Sequence, residues 1–167
     1  LTITDGSDTA NVAVTALDAT AAADFSNVDV AGTTVATVSN DVTFTGDLGG
    51  FAVVIADTKT LTSTAAKLHG LTITDANADV GSVVVTALDA KADANLGNIT
   101  LNTGATKTAN VANDVTFTGT LNGFDVVVAN GKTLTSTAAK LTGLTITDGS
   151  NTANVAVTAL DATAAAN

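Results

Sequence analysis

The sequence predicts a mainly β protein, a parallel β-solenoid with short Ala-rich helical turns on its long coils. Three observations predict it. Long stretches recur almost unchanged along the chain. Within them an apolar-Thr-apolar-Thr pattern returns again and again. And each recurring unit is too short to bury its own apolar face.

The recurrence is direct. Residues 1–24 and 144–167 differ at two of 24 positions, Asp8 against Asn151 and Asp24 against Asn167. A more distant copy starts at Leu71 with LTITDANADVGSVVVTALDA. Residues 38–70 and 111–143 match at 25 of 33 positions, sharing NDVTFTG and KTLTSTAAKL. The expected organisation is therefore one continuous solenoid over 1–167, divided into repeats 1–70, 71–143 and a partial 144–167.

Seven unit starts are expected, at Leu1, Val28, Val42, Leu71, Ile99, Val115 and Leu144. The first strand of a unit alternates apolar and polar residues, as Leu1 and Ile3 do against Thr2 and Thr4, the pattern of a half-buried strand. A Gly/Asp/Asn/Ser turn follows, such as Asp5-Gly6-Ser7-Asp8. A second strand comes next. Strands are accordingly expected near 1–4, 11–16, 28–31, 42–45, 51–56, 71–74, 82–87, 99–102, 115–118, 124–129, 144–147 and 154–159, stacked parallel and in register. The Ala-rich arms at 17–25, 61–68 and 88–96 are expected to form one or two helical turns, with a third strand as the alternative. In the first arm Leu17, Ala21 and Phe25 share a helix face. In the second, Ser63 is a candidate N-cap and Gly70 a candidate C-terminal stop.

Stacking places coils about 4.8 Å apart, so like residues are expected to fall on like and share one core. Leu1, Ile3, Val12, Val14, Leu17, Phe25 and their counterparts belong inside. Phe44, Phe117, Phe51 and Phe124 are expected core fillers. Thr, Asp and Asn belong outside, with Thr about a fifth of the chain and well suited to pleated surfaces. Neither end reads as a polar cap, so continuation of the array or end-to-end self-association is expected to cover the terminal strand edges. The ends are also expected to superpose as a screw-related pair of coils.

Composition narrows function. Charged residues make up 13% against roughly 25% in an ordinary domain. Net charge is −10, with six Lys and no Arg. No basic cluster exists to track a nucleic-acid backbone or an anionic membrane surface, and no apolar run approaches a membrane span of about 20 residues. Cys, Met, Pro, Trp and Tyr are absent. With five Phe as the only aromatics and core positions awaiting them, no platform is expected for sugar or base stacking.

The candidate chemistry is sparse. His69 is the single histidine and its counterpart is Thr142; a metal site or a His-based triad would need partners, and an exposed turn residue is the plainer reading. Asp5, Asp8, Asp75, Asp79 and Asp148 sit in turns and are candidate Ca²⁺ ligands, since that ion takes carboxylate oxygens; the plainer reading is turn formation. The pairs Thr2/Thr4, Thr43/Thr45, Thr72/Thr74, Thr116/Thr118 and Thr145/Thr147 are expected on one face, a Thr-x-Thr grid like the flat face of ice-binding solenoids. The plainer reading is an outward β residue. Lys59/Lys132 and Lys67/Lys140 recur as solubilising positions. Gly49-Gly50 lacks the rest of a phosphate loop, and Asn98-Ile99-Thr100 is a glycosylation triplet of the kind chance supplies in an Asn/Thr-rich chain.

At LTSTAAKLTGLTIT and NVAVTALDATAAAN the chain resembles very large bacterial surface proteins of β-strand repeats, the adhesins, sheath and S-layer-like proteins of cyanobacteria and marine bacteria. The resemblance extends over the whole chain. The calcium-binding nonapeptide of the repeats-in-toxin family is absent. The resemblance implies export, display outside the cell or at its surface, and a structural role in a filament, sheath or adhesin stalk. A ligand-binding module, for ice or for calcium-assisted adhesion, is the alternative, and an enzyme is not expected.

Overall fold

The computed structural model describes residues 2–6, 9–76, 80–149 and 151–158. The fold is mainly β. All sheets are parallel and form a β-solenoid of about seven turns. Sixteen strands are present among the described residues. The first eight are β1 (Ile3–Thr4), β2 (Val12–Val14), β3 (Val28–Asp29), β4 (Thr34–Val38), β5 (Val42–Thr43), β6 (Ala52–Ile55), β7 (Thr60–Ser63) and β8 (Ile73–Asp75). The others are β9 (Ser82–Val85), β10 (Ile99–Thr100), β11 (Thr106–Val111), β12 (Val115–Thr116), β13 (Asp125–Val128), β14 (Thr133–Ser136), β15 (Ile146–Asp148) and β16 (Asn154–Val157). Each of the twelve expected strands has a counterpart, and no hairpin pairs β1 with β2. β4 and β11 were not expected, while β7 and its copy β14 realise the third strand that was the alternative for the Ala-rich arms.

By its contacts the chain divides into two compact units. The first comprises Leu1–Thr62, Leu71–Val83 and Asn98–Ala105; the second comprises Ser63–Gly70, Val84–Gly97 and Thr106–Asn167. In the first unit β1 pairs with β3, β5 pairs with β7, and a five-stranded sheet runs β10-β8-β6-β4-β2. In the second, β11, β13 and β15 are consecutive sheet neighbours, as are β12, β14 and β16.

The registers repeat. Val35 pairs with Ala52 and Ala109 with Val126, each a step of 17. Val53 pairs with Ile73 and Val126 with Ile146, each a step of 20. Val42 pairs with Leu61 and Val115 with Leu134, each a step of 19. Apolar residues therefore meet apolar residues, but they come from unlike strands. The expectation that like falls on like is corrected here: β1, β8 and β15 carry the same Ile-Thr pattern, yet β1 adjoins β3, β8 lies between β6 and β10, and β15 adjoins β13. Coil boundaries shift for the same reason. Val28, Thr34 and Val42 begin three strands of one turn, and the next turn's Ala52 pairs back to Val35. Val42 and Val115 therefore do not open coils of their own.

The core follows from this stacking. Phe44, Phe51, Phe117 and Phe124 are all buried, with Leu17, Ile55, Leu61, Leu68, Leu88 and Leu96 among the other large fillers. Ile3, Val12, Val14 and Phe25 are only half-buried, and the Phe25 ring centroid lies 5.2 Å from that of Phe51. Their counterparts Ile73, Val83, Val85 and Leu96 are sealed. Among the described residues β2 has one strand neighbour, β4, whereas β9 has two, and burial tracks that number. Leu1 lies outside the described residues, as does the whole of the terminal stretch 159–167 that the expected superposition of the ends requires.

The Ala-rich arms are more extended than expected. Among the described residues only Leu17–Ala19 and Leu88–Ala90 form 3₁₀ turns, and Ala65–Leu68 (α1) and Ala138–Leu141 (α2) single α-turns. Ala21 is exposed, so the Leu17/Ala21/Phe25 helix face does not form. The carbonyls of Ala21 and Ala23 accept N–H groups of Thr45 and Asp47 in the next coil at 2.7 and 2.9 Å. A carbonyl committed to the next coil is not available for a helical bond along its own segment. Ser63 does not cap α1: it ends β7, is buried, and Thr64 takes the N-cap position without a side-chain bond. Gly70 follows the helix with φ 76°, as a C-terminal stop requires.

Close coil packing selects several glycines, Gly32, Gly46, Gly49 and Gly119, and two of them hold one place in the repeat. A Cβ on Gly46 would lie 1.9 Å from the Ala23 carbonyl oxygen, and one on Gly119 2.0 Å from that of Ala94. The Gly of each VTFTG is thus where one backbone crosses the preceding one.

Candidate functional site

The turn carboxylates act on the backbone. Asp5 Oδ2 accepts the Ala10 N–H at 2.7 Å, and Asp148 Oδ2 accepts that of Ala153 at 2.9 Å. Asp75 accepts Gly81 N–H at 3.3 Å and Asn102 N–H at 2.9 and 3.0 Å. One device occurs three times: the carboxylate closes the loop after the first strand. Asp8 and Asp79 lie outside the described residues. Among the described residues no group of three or more His, Cys, Asp or Glu side chains is placed to hold a metal ion.

Of the ten threonines, nine are exposed and Thr74 is half-buried. They do not share one face. In the first unit Thr4 pairs with Asp29, Thr43 with Thr62 and Thr74 with Thr100, in three different strand sets. In the second unit Thr116 pairs with Thr135 and Thr147 with Val127, again in different sets. Thr2, Thr72 and Thr145 directly precede β1, β8 and β15. Thr45 and Thr118 lie beyond β5 and β12, their N–H groups bound to Ala21 and Ala92 of the preceding coil. The single Thr-x-Thr grid is corrected accordingly: the repeat is not a fixed number of equal coils, so successive pairs fall on different sheets.

The polar residues that bind coil to coil are others. Asp18 Oδ1 accepts Ser39 N–H at 2.8 Å and Asn40 N–H at 3.2 Å, while Oδ2 accepts Asn40 Nδ2 at 2.9 Å. Asp89 does the same with Ala112, Asn113 and Asn113 Nδ2, at 2.9, 3.2 and 2.9 Å. Asp41 accepts Thr60 N–H at 2.8 Å and Asp114 accepts Thr133 N–H at 2.7 Å. The side chain of Asn40 and the N–H of Ser39 hold the Asp18 carboxyl below its ordinary 3.8. For Asp89, burial alone would raise the value, but the Asn113 side chain and the Ala112 N–H outweigh it and the carboxyl also lies below 3.8. The sequence signal was available in the recurrence of LDA at 17–19 and 88–90, each followed 22 or 24 residues after its Asp by the Asn of an NDVTFTG stretch. Both Asp residues lie in the Ala-rich arms, where a helical reading hid the signal.

His69 is exposed, and its Nδ1 accepts the Asn95 N–H at 2.9 Å, which places the neutral ring's proton on Nε2. Thr142 instead donates its hydroxyl to Ala138 O at 2.8 Å. Asp93 is held low first by a 2.9 Å bond from Lys91. Burial lowers the Lys107 ammonium, which lies 5.5 Å from the Phe124 ring centroid. Lys67 and Lys140 are exposed, and Lys59 and Lys132 half-exposed. A shallow groove of about 360 Å³ lies along Leu121, Asn122, Gly123, Lys140 and Gly143. Among the described residues no helix is long and apolar enough to cross a membrane.

No protein-family model, curated protein or solved structure matches the chain.

Proposed function

We propose that the chain is a structural module of an extracellular filament, sheath or long adhesin stalk, built by stacking tandem repeats. The observation that carries this reading is the duplication of the coil-to-coil bonds. Asp18 and Asp89, Asp41 and Asp114, and the steps of 17, 19 and 20 residues recur with the repeat. The polar side chains described above are spent on joining and closing coils, and an array needs that from every repeat. In this reading the chain is self-associating or continuous with further repeats, is displayed outside the cell, and has no catalytic role.

The test is repeat-number dependence. Proteins carrying one, two and four copies of 71–143 are imaged by negative stain. The reading expects fibres whose length grows in proportion to copy number, and immunogold label for the chain on the outer surface of intact source cells. Compact particles of unchanged length, or label confined to the cell interior, would overturn it.

A further inference from the structure

The pair Asn-Gly occurs twice in the sequence, at Asn122-Gly123 and Asn130-Gly131. It carries its own chemistry. The asparagine amide carbon lies within reach of the next residue's backbone nitrogen, and glycine puts no side chain in the way of that nitrogen. Both pairs sit in turns of the second repeat. The first turn is closed by Phe124 N–H donating to Leu121 O and the second by Lys132 N–H donating to Ala129 O, each at 3.0 Å. Asn122, Gly123, Asn130 and Gly131 are all exposed.

Their surroundings differ. Asn122 Nδ2 donates to Gly97 O at 2.9 Å, which ties the side chain to the preceding coil. Lys107 covers the neighbouring glycine, since a Cβ on Gly123 would stand 3.6 Å from Lys107 Nζ. The same ammonium donates to Asn122 O. That bond polarises the peptide and favours a reactive Gly123 nitrogen, but the tied side chain opposes it: the amide carbon cannot swing to that nitrogen while the Gly97 bond holds. Asn130 has no such tie. Among the described residues its side chain has no hydrogen-bond partner, and a Cβ on Gly131 would meet nothing within 4 Å. The Gly131 N–H bond to Thr152 Oγ1 is long, at 3.2 Å. The counterpart of Asn130 in 38–70 is Asp57, whose Oδ1 accepts the Val80 N–H at 3.1 Å. The repeat therefore tolerates a carboxylate at this place.

We infer that the Asn130–Gly131 turn is a self-modification site, converting to aspartate and isoaspartate in the folded chain while Asn122–Gly123 is held back. Gly131 N gives up its proton and attacks Asn130 Cγ. A Gly131 N–Cγ bond forms, the Cγ–Nδ2 bond breaks, and Nδ2 leaves as ammonia with that proton. The resulting cyclic imide then adds water. Opening at Cγ leaves an aspartate at position 130, and opening at the backbone carbonyl leaves isoaspartate, with an extra carbon in the main chain. No electrons are exchanged with an outside reagent, and either product adds a negative charge to the turn at neutral pH. The inference needs only the folded turn and does not rest on the filament reading.

The test follows the whole chain in mildly alkaline buffer over time, folded in one sample and unfolded in urea in another. Cleavage after lysine yields residues 108–132, which contain both pairs, and fragment-ion mass spectra assign the amide-to-acid exchange to each. In the folded chain Asn130 should convert about fivefold faster than Asn122, the rate equivalent of the side-chain hydrogen bond that Asn122 must first break. In urea the two rates should converge, because the ties are gone. The folded product should also accept methyl groups from a protein-isoaspartate methyltransferase. Equal rates in the folded chain, faster conversion at Asn122, or no conversion at Asn130 while the urea sample converts would each overturn the inference. So would a difference that persists unchanged in urea, since the flanking residues rather than the fold would then set it.

Discussion

The stretches 38–70 and 111–143 differ at eight of 33 positions, and they divide cleanly into what is copied and what is not. The strands and their ties are copied. Phe44 and Phe117 donate their N–H groups to Thr62 and Thr135, both at 2.7 Å, and Ala56 and Ala129 donate to Val38 and Val111, both at 3.0 Å. The loops are not. Asp57 accepts the Val80 N–H at 3.1 Å, whereas its counterpart turn is tied by Gly131 N–H to Thr152 Oγ1 at 3.2 Å. His69 reaches the Asn95 N–H while Thr142 bonds within its own helix. The inward residues and the crossing glycines specify the coil. Beyond those short bonds, each loop finds its own partners in the segments around it.

The largest expected effect breaks the copied part. Phe51→Ala and Phe124→Ala should each cost about 3–5 kcal/mol, the range for emptying a buried aromatic site. Both rings are buried, so urea unfolding monitored by circular dichroism should show two similar losses. A tolerated substitution at either site would mean that the two coils do not share one packing rule.

Next come the crossing glycines. Gly119→Ala and Gly46→Ala drive a methyl into the backbone of the preceding coil, and should cost about 3 kcal/mol, the upper part of the overpacking range. Gly6, where a Cβ would meet nothing within 4 Å, is the control; Gly6→Ala should stay within about 0.5 kcal/mol. Equal effects at Gly6 and Gly119 would dismiss the close-approach argument.

Acid acts on the copied ties with a smaller effect. The folded pKa values of Asp18 and Asp89 lie below the ordinary 3.8. A carboxyl depressed in the folded state stabilises fully above its unfolded value, and that stability is lost as pH falls through the folded value. Stability should therefore be level above 3.8 with respect to these groups and fall on acidification beneath it. Asp18→Asn and Asp89→Asn should each flatten that acid limb in urea midpoints measured against pH. An acid limb unchanged in both variants would assign the loss to other carboxyls.

Much of this plan was legible in the sequence because LTIT, VTFT and FAVV alternate strongly, and all the strands they open were found. β7 and β14 were only the alternative to a helical turn because Ser63 and Ser136 point inward: both are buried, and Ser136 Oγ donates to the Phe117 carbonyl at 2.6 Å. A buried hydroxyl breaks the apolar alternation that periodicity relies on. β4 and β11 escaped because Ala36 and Ala109 fill inward positions, and Ala contrasts weakly with Thr. The Thr pairs were correctly placed outside, but their division among sheets depends on coil lengths that residue spacing alone did not reveal. The coil-joining role of Asp18 and Asp89 depends on the same stacking, since each carboxylate meets a segment more than twenty residues away.

The smallest effect sharpens the loop side of the comparison. Thr58 and Gly131 occupy the same turn position with φ 62° and 67°. In that left-handed region a side chain crowds its own backbone, at about 1–2 kcal/mol for an ordinary residue, and a β-branched one is a marked outlier. Thr58 recovers part of this cost, because its hydroxyl donates to the Asp57 carbonyl at 2.6 Å. Glycine would remove the strain but also widen the unfolded ensemble, which works against the gain. Thr58→Gly should therefore stabilise the first unit modestly, by about 0.5 kcal/mol, the small residue of these opposed terms. The reverse change, Gly131→Thr, should destabilise by about 1 kcal/mol, since strain is added and the Gly131 N–H bond to Thr152 must survive it. Paired urea midpoints of the two variants would check this. A shift of the same sign in both would show that the two turns are not the same backbone, and that the loops differ in conformation as well as in hydrogen bonding.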